Sequence, residues 1–186
     1  MAATVQLPLE TLRLIAEQVS VFWHAAGFPQ PTEGRTELGE TFQIWMMTGN
    51  AVVSGASLAE AVPTGRFHHQ IYRDGQPDAH AYSRPMGPGA SDWRLTAVFQ
   101  SDAAVAINAA VDVVDGAFHG EGQARLLVIP SYDVQCVWVI TGKTNRLVPA
   151  VVPHAYREAV VPLSVYDEHE FLASLRRYPY AQGVVP

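Results

Sequence analysis

Three of the seven histidines in this chain, His68, His69 and His80, fall close together, with Asp78 and Tyr82 among them. Imidazole titrates near neutral pH, ligates metals and shuttles protons. Beside a carboxylate it is what a metal site or an acid–base pair requires. The stretch reads as a β-hairpin, with Phe67–Arg73 and Ala79–Arg84 flanking Asp74-Gly75-Gln76-Pro77. Asp-Gly is a strong hairpin turn signal. Side chains alternate along a strand, so register decides which of them meet. A two-residue loop at Asp74-Gly75 sets His69 opposite His80. A four-residue loop sets His69 opposite Tyr82 and His80 opposite Ile71. In both registers His69, His80 and Asp78 share one face, within ~8 Å as direct or diagonal neighbours. His68 then points the other way. A loop of odd length would separate His69 from His80.

His69, His80 and Asp78 are therefore candidate metal ligands or acid–base groups, with Tyr82 beside them. The blander alternative, a plain sheet face with Asp78 drawn into the loop by Pro77, carries more weight. His119 stands in a glycine-rich loop with Glu121 two residues on. Such a loop suits an active-site lid but equally a solvated connection. His24, His154 and His169 have no evident partners.

Other catalytic templates are absent. There is no Gly-x-Ser-x-Gly elbow, no His-Glu-x-x-His and no Gly-x-Gly-x-x-Gly between a strand and a helix. Gly142-Lys143-Thr144 lacks the upstream glycines and the following helix that hold phosphate. No cofactor is identified by any motif. The single cysteine, Cys136, sits among apolar strand residues and reads as a buried thiol. One cysteine allows neither an intramolecular disulfide nor a cysteine-based zinc site.

The elements that position these residues are organised around Ala124–Ile140. It reads as two strands, Ala124–Ile129 and Val134–Ile140, joined by a turn. Both are apolar on both faces, as central strands covered on two sides are. Arg125 and Asp133 are the only charges in the stretch. Before it, Leu9–Ala26 repeats apolar residues at spacings of three and four, the stripe of a helix. A second helix is expected after Thr36, carrying Phe42, Ile44, Trp45, Met46 and Met47, then Ala51 to Val53. Ser57 is a candidate cap of one more turn. Trp93–Phe99 alternates as a strand. Ala103–Asp115 reads as a helix capped by Ser101 or Asp102. Arg146–Val152 is expected to pair with Val134–Ile140, and Pro149 makes it an edge or splits it. Glu158–Leu163 is a further candidate strand. Asp167 opens a short C-terminal helix. Pro29–Arg35 reads as a loop and Pro179–Pro186 as a frayed tail.

The order of elements predicts a single domain over 1–186. Its class is α+β, a mainly antiparallel sheet of about five to six strands packed with three to four helices. The net charge of −6, with 12 Lys and Arg, leaves no basic stripe for nucleic acid. No run is long and apolar enough to span a membrane, and no targeting segment is visible, which predicts a cytoplasmic protein. Charged residues make up only 16% of the chain, against ~25% in an average domain. That shortage predicts surface covered by another chain, most simply in a two-fold homodimer. The functional expectation is a binding or protein-interaction module, with a protein or small-molecule partner. The alternative is a small enzyme, such as a metal-dependent hydrolase, with its site on the His69/His80 face of the hairpin.

Overall fold

The computed structural model describes residues 4–27 and 36–178. The expected loop Pro29–Arg35 and tail Pro179–Pro186 lie outside the described residues. The chain runs α1 (Leu9–Ala25), β1 (Thr36–Met46), α2 (Gly49–Ser54), β2 (Val62–Arg73), β3 (Gln76–Pro85), β4 (Trp93–Phe99) and α3 (Asp102–Phe118). It continues through β5 (Gln123–Ile129), β6 (Val134–Thr141), β7 (Thr144–Val151), β8 (Tyr166–Asp167) and α4 (Glu168–Arg176). Short 3-10 turns lie at Leu58–Glu60, Pro130–Tyr132 and His154–Tyr156.

Among the described residues the strands form one eight-stranded sheet in the order β4-β3-β2-β1-β5-β6-β7-β8. Neighbours are antiparallel except β1 and β5, which run parallel. Helix α3 makes this possible by carrying the chain from the edge strand β4 back to the centre of the sheet. The α+β class stands. The expected sheet of five to six mainly antiparallel strands is corrected to a mixed sheet of eight.

The largest correction is Thr36–Met46, expected as a helix and found as β1. Its apolar residues looked like a wide helical band because they serve both faces of a covered strand. Phe42 and Ile44 face one side, Thr41 and Trp45 the other. Periodicity cannot separate a strand covered on both faces from a buried helix. The helical signal beyond it belongs to α2, whose N-cap Thr48 accepts a hydrogen bond from the Ala51 N–H at 3.2 Å. Glu158–Leu163 is not a strand either. Leu163 sits at φ 62, a left-handed conformation incompatible with a ladder. Pro149 lies in β7 opposite Cys136. Strand β8 pairs only with Arg146 and Leu147, so β7 is already an outer strand at its proline.

Helices roof the two faces unequally. Helix α3 covers one face, packing Ile107, Ala110, Val111 and Val114 on Phe42, Leu126, Val137 and Val148. On the other face α1 sets Ile15, Val19 and Trp23 on Ile71, Ala79, Ala81 and Leu95, over the β2–β4 half. Also on that face, α2 and α4 cover the β5–β8 half through Val52, Phe171, Leu172 and Leu175. Cys136 is buried in that layer, and burial pushes its thiol pKa well up, which disfavours the reactive thiolate. Between α1 and the α2/α4 pair runs a strip of sheet that no helix among the described residues roofs. Gln43 and Trp45 of β1 and Arg125 of β5 are half-buried there, and Gln123 is exposed.

Both edges of the sheet are blunted. On β4, Thr96 is an extra residue between the pairs Tyr82–Ala97 and Ser83–Leu95, a bulge that breaks the ladder. The Gln18 side chain of α1 then takes the place of a neighbouring strand. Its amide donates to Trp93 O at 3.2 Å and accepts from Leu95 N–H at 2.7 Å. The opposite edge, β8, is two residues long. Short, bulged and capped edges resist pairing with another chain.

Candidate functional site

The hairpin forms with the two-residue turn that Asp-Gly encodes. Asp74 and Gly75 adopt φ 54 and 74, as a primed turn requires. Arg73 pairs with Gln76 and Tyr72 with Pro77. The next pair is Ile71 with Ala79, so Asp78 is an extra residue. This bulge moves every later partner by one position and turns its side chain to the other face. His80 pairs with Gln70, and His69 with Ala81. The expected co-facial set of His69, His80 and Asp78 is therefore corrected. His80 shares the α3 face with His68 and Tyr82, and His69 lies on the α1 face. The bulge does what a loop of odd length would do.

On the α3 face the His68 and His80 rings stack at 5.0 Å, and His80 stacks on Phe99 at 5.3 Å. Tyr82 tilts against both imidazoles. Gln70 donates its amide to Ala104 O at 2.9 Å, which fastens β2 to the first turn of α3. Its Oε1 is then the acceptor for His68 Nε2–H at 3.4 Å. That leaves His68 Nδ1 a buried acceptor without a donor, and His80 Nδ1 is likewise unmatched. Burial, then the neighbouring His80, lowers the His68 pKa to about 3. Burial alone lowers that of His80 to about 4.

On the α1 face His69 is held at both nitrogens. Thr41 Oγ1 lies 2.9 Å from Nδ1 and Ser83 Oγ 2.7 Å from Nε2. Burial lowers its pKa to about 4. All three histidines are thus neutral at pH 7 and enclosed, His68 and His69 at 0% exposure and His80 at 5%. Asp78 is committed to Arg73 at 2.8 Å and to Gln100 at 3.1 Å. His119 is the left-handed C-cap of α3 and is exposed, far in sequence and role from the hairpin. Among the described residues no three His, Cys, Asp or Glu side chains converge as a metal ion requires.

The unroofed strip holds a different set of groups. The Arg125 guanidinium lies 4.1 Å from the centre of the Trp45 ring and 5.1 Å from that of Trp138. The two indoles meet edge to face at 5.7 Å. Strand alternation and the β1–β5–β6 order produce this row, since Arg125 is opposite Trp138 and diagonal to Trp45. Trp138 is fixed from behind. Its Nε1–H donates to Asn145 Oδ1 at 3.0 Å. Asn145 donates to Glu168 Oε2, and Glu168 Oε1 accepts from the Leu58 N–H at 2.6 Å. Among the described residues Arg125 makes one hydrogen bond, from Nη2 to Gln123 Oε1 at 3.0 Å, and its buried Nε–H meets no acceptor. No carboxylate among the described residues lies within ion-pair distance of it. Burial against the rings works against its charge.

Sequence reasoning missed this site because its members come from three strands. The signal available was Arg125 alone, a charge in an otherwise apolar central strand. Comparison with protein family models, with curated proteins and with solved structures gives no match to this chain.

Proposed function

We propose that this chain is a protein-interaction module that binds through the unroofed strip of sheet around Trp45, Arg125 and Trp138. The observation that carries the reading is Arg125, stacked on two tryptophans with a buried donor left unmatched. Tryptophan and arginine dominate the energetics of protein interfaces. A desolvated charge without a counter-charge is costly and is stabilised when a partner supplies one. The enzyme alternative is disfavoured by the hairpin itself, whose imidazoles are sealed from solvent on two opposite faces.

The test places a photoreactive benzoylphenylalanine at Glu121, exposed just before the strip, or at Val105, exposed on α3 across the sheet. In extract of the native host, irradiation should give a discrete adduct from position 121 and none from 105. The adduct should disappear with Arg125→Ala. Equal adducts at both positions, adducts indifferent to Arg125, or none at all overturn the reading.

The reading extends to a two-fold homodimer. Its support is the low charge together with exposed Leu9, Val21 and Phe22 on α1. With both sheet edges blunted, such a dimer packs side chains rather than continuing the sheet. Light scattering should give about twice the chain mass at micromolar concentration. A mass near 20.3 kDa sinks the dimer.

A further inference from the structure

We infer that the Arg125 site takes a carboxylate presented by an acidic segment of a protein partner, an inference that rests on the interaction reading above. The argument is an inventory of unused hydrogen-bonding valence. Indole N–H and guanidinium N–H groups only donate. Trp45 Nε1–H donates to Gln43 Oε1 at 3.2 Å, and Arg125 Nη2 donates to Gln123 Oε1 at 3.0 Å. These donor-only neighbours fix the orientation of both glutamine amides, because each must turn its oxygen inward. Among the described residues, what the two amides have left is their NH2 groups, and what Arg125 has left is further N–H donors. The strip therefore offers donors, one positive charge and the half-buried Trp45 ring beside it. A group that completes it must be an acceptor and an anion.

A carboxylate fits better than a phosphate. The guanidinium fork matches a planar carboxylate through two parallel N–H···O bonds. A carboxylate also brings one negative charge to a strip that supplies one positive charge. A phosphate dianion would keep an unmatched charge beside a chain of net charge −6. The flanking Trp45 ring, half-buried, would pack an apolar residue next to the acid. The occupant is thus an acidic residue with apolar neighbours on a protein segment.

The probe is a set of blocked tripeptides: acetyl-Leu-Glu-Leu-amide, its Gln counterpart and its phosphoserine counterpart. Binding is followed by the nitrogen-proton NMR signals of the Trp45 and Trp138 indoles and of Arg125 Nε–H in the full chain. The Glu peptide should move all three signals saturably. The Gln peptide should bind at least about tenfold more weakly, the loss expected when a charge-assisted hydrogen bond becomes a neutral one. Arg125→Gln should abolish the indole shifts. Arg125→Lys, which keeps charge but not the fork, should weaken them, and an unchanged melting temperature shows that both variants fold. Equal binding of the Glu and Gln peptides overturns the inference, as does tighter binding of the phosphopeptide. If no peptide binds while the adduct from position 121 still depends on Arg125, the carboxylate inference fails and the interaction reading stands. If that adduct fails while the Glu peptide binds as described, the carboxylate site stands without a protein partner, and the interaction reading fails.

Discussion

Acidification from pH 7 to about pH 5 should remove ~5 kcal/mol of folding stability from this chain, ahead of the range where most carboxylates titrate. The cause is the three enclosed histidines. Their pKa values fall from 6.5 to about 3 for His68 and about 4 for His69 and His80. The native state therefore stays neutral at these positions while the unfolded chain takes up a proton at each as pH drops through 6.5. The unfolded state binds more protons, so stability rises with pH across this window and is lost as pH falls. Each histidine contributes ~1.4 kcal/mol per pH unit between about pH 6 and its native pKa. Three together give a slope of ~4 kcal/mol per unit between about pH 6 and pH 4, a total loss comparable to a typical stability of ~5–15 kcal/mol. Below about pH 4 the slope levels off as the native groups also protonate.

Urea titrations at pH 7.5, 6 and 5 measure this directly. His80→Gln should lower the slope by about a third, because one proton is removed from the unfolded side. His80 is the position to choose. His69 is bonded at both nitrogens, and its loss would strand Thr41 and Ser83, two buried hydroxyls. Stability that stays flat between pH 7.5 and 5 would mean that the histidines are open to solvent and that the hairpin faces are wrongly placed.

What the sequence could and could not reveal follows from the range of each interaction. Local signals were legible. Asp74-Gly75 signalled the hairpin turn, although its two-residue length became clear only in the structure. Trp93–Phe99 specified a strand with the bounds observed. Asp167 specified a cap that accepts from Glu170 N–H at 2.8 Å. The failures needed information from elsewhere in the chain. The bulge at Asp78 leaves no composition signal, yet it moved His69 and His80 to opposite faces. It is stabilised by the ion pair of Asp78 with Arg73 and by a hydrogen bond from Gln100 beyond β4. Thr36–Met46 misled because α3, which covers its Phe42 and Ile44 face, and its parallel neighbour β5 lie far away in sequence. The histidines drew notice because their chemistry is versatile, but burial removes that chemistry. Arg125 is, in the sequence, one of two charges in an apolar stretch, and only the sheet order reveals that it lies between two tryptophans.

Trp138→Ala should destabilise the fold by ~3–5 kcal/mol, the range for removing a large buried aromatic. The indole is 4% exposed in the layer shared with Cys136, Leu147, Phe171 and Leu175. Truncation opens a cavity there and leaves Asn145 Oδ1 without its donor. It also removes one of the two rings against which Arg125 lies and the edge-to-face contact with Trp45. Trp138→Phe separates these terms. A phenyl ring keeps much of the packing but not the Nε1–H, so the loss from the missing hydrogen bond is ~1 kcal/mol. The loss from the smaller ring adds to it. Asn145→Ala should resemble Trp138→Phe, because it breaks the same bond from the other end, and it also frees the Glu168 carboxylate. Chemical denaturation of the three variants measures the series. A loss below ~1 kcal/mol for Trp138→Ala would mean that the ring sits at an open edge. The roof of α2 and α4 over the β5–β8 half would then be wrong. Losses ordered as argued, with Trp138→Ala the largest, would place the stability of the roofed half directly behind the proposed binding strip. The same ring would then support both the fold and the guanidinium.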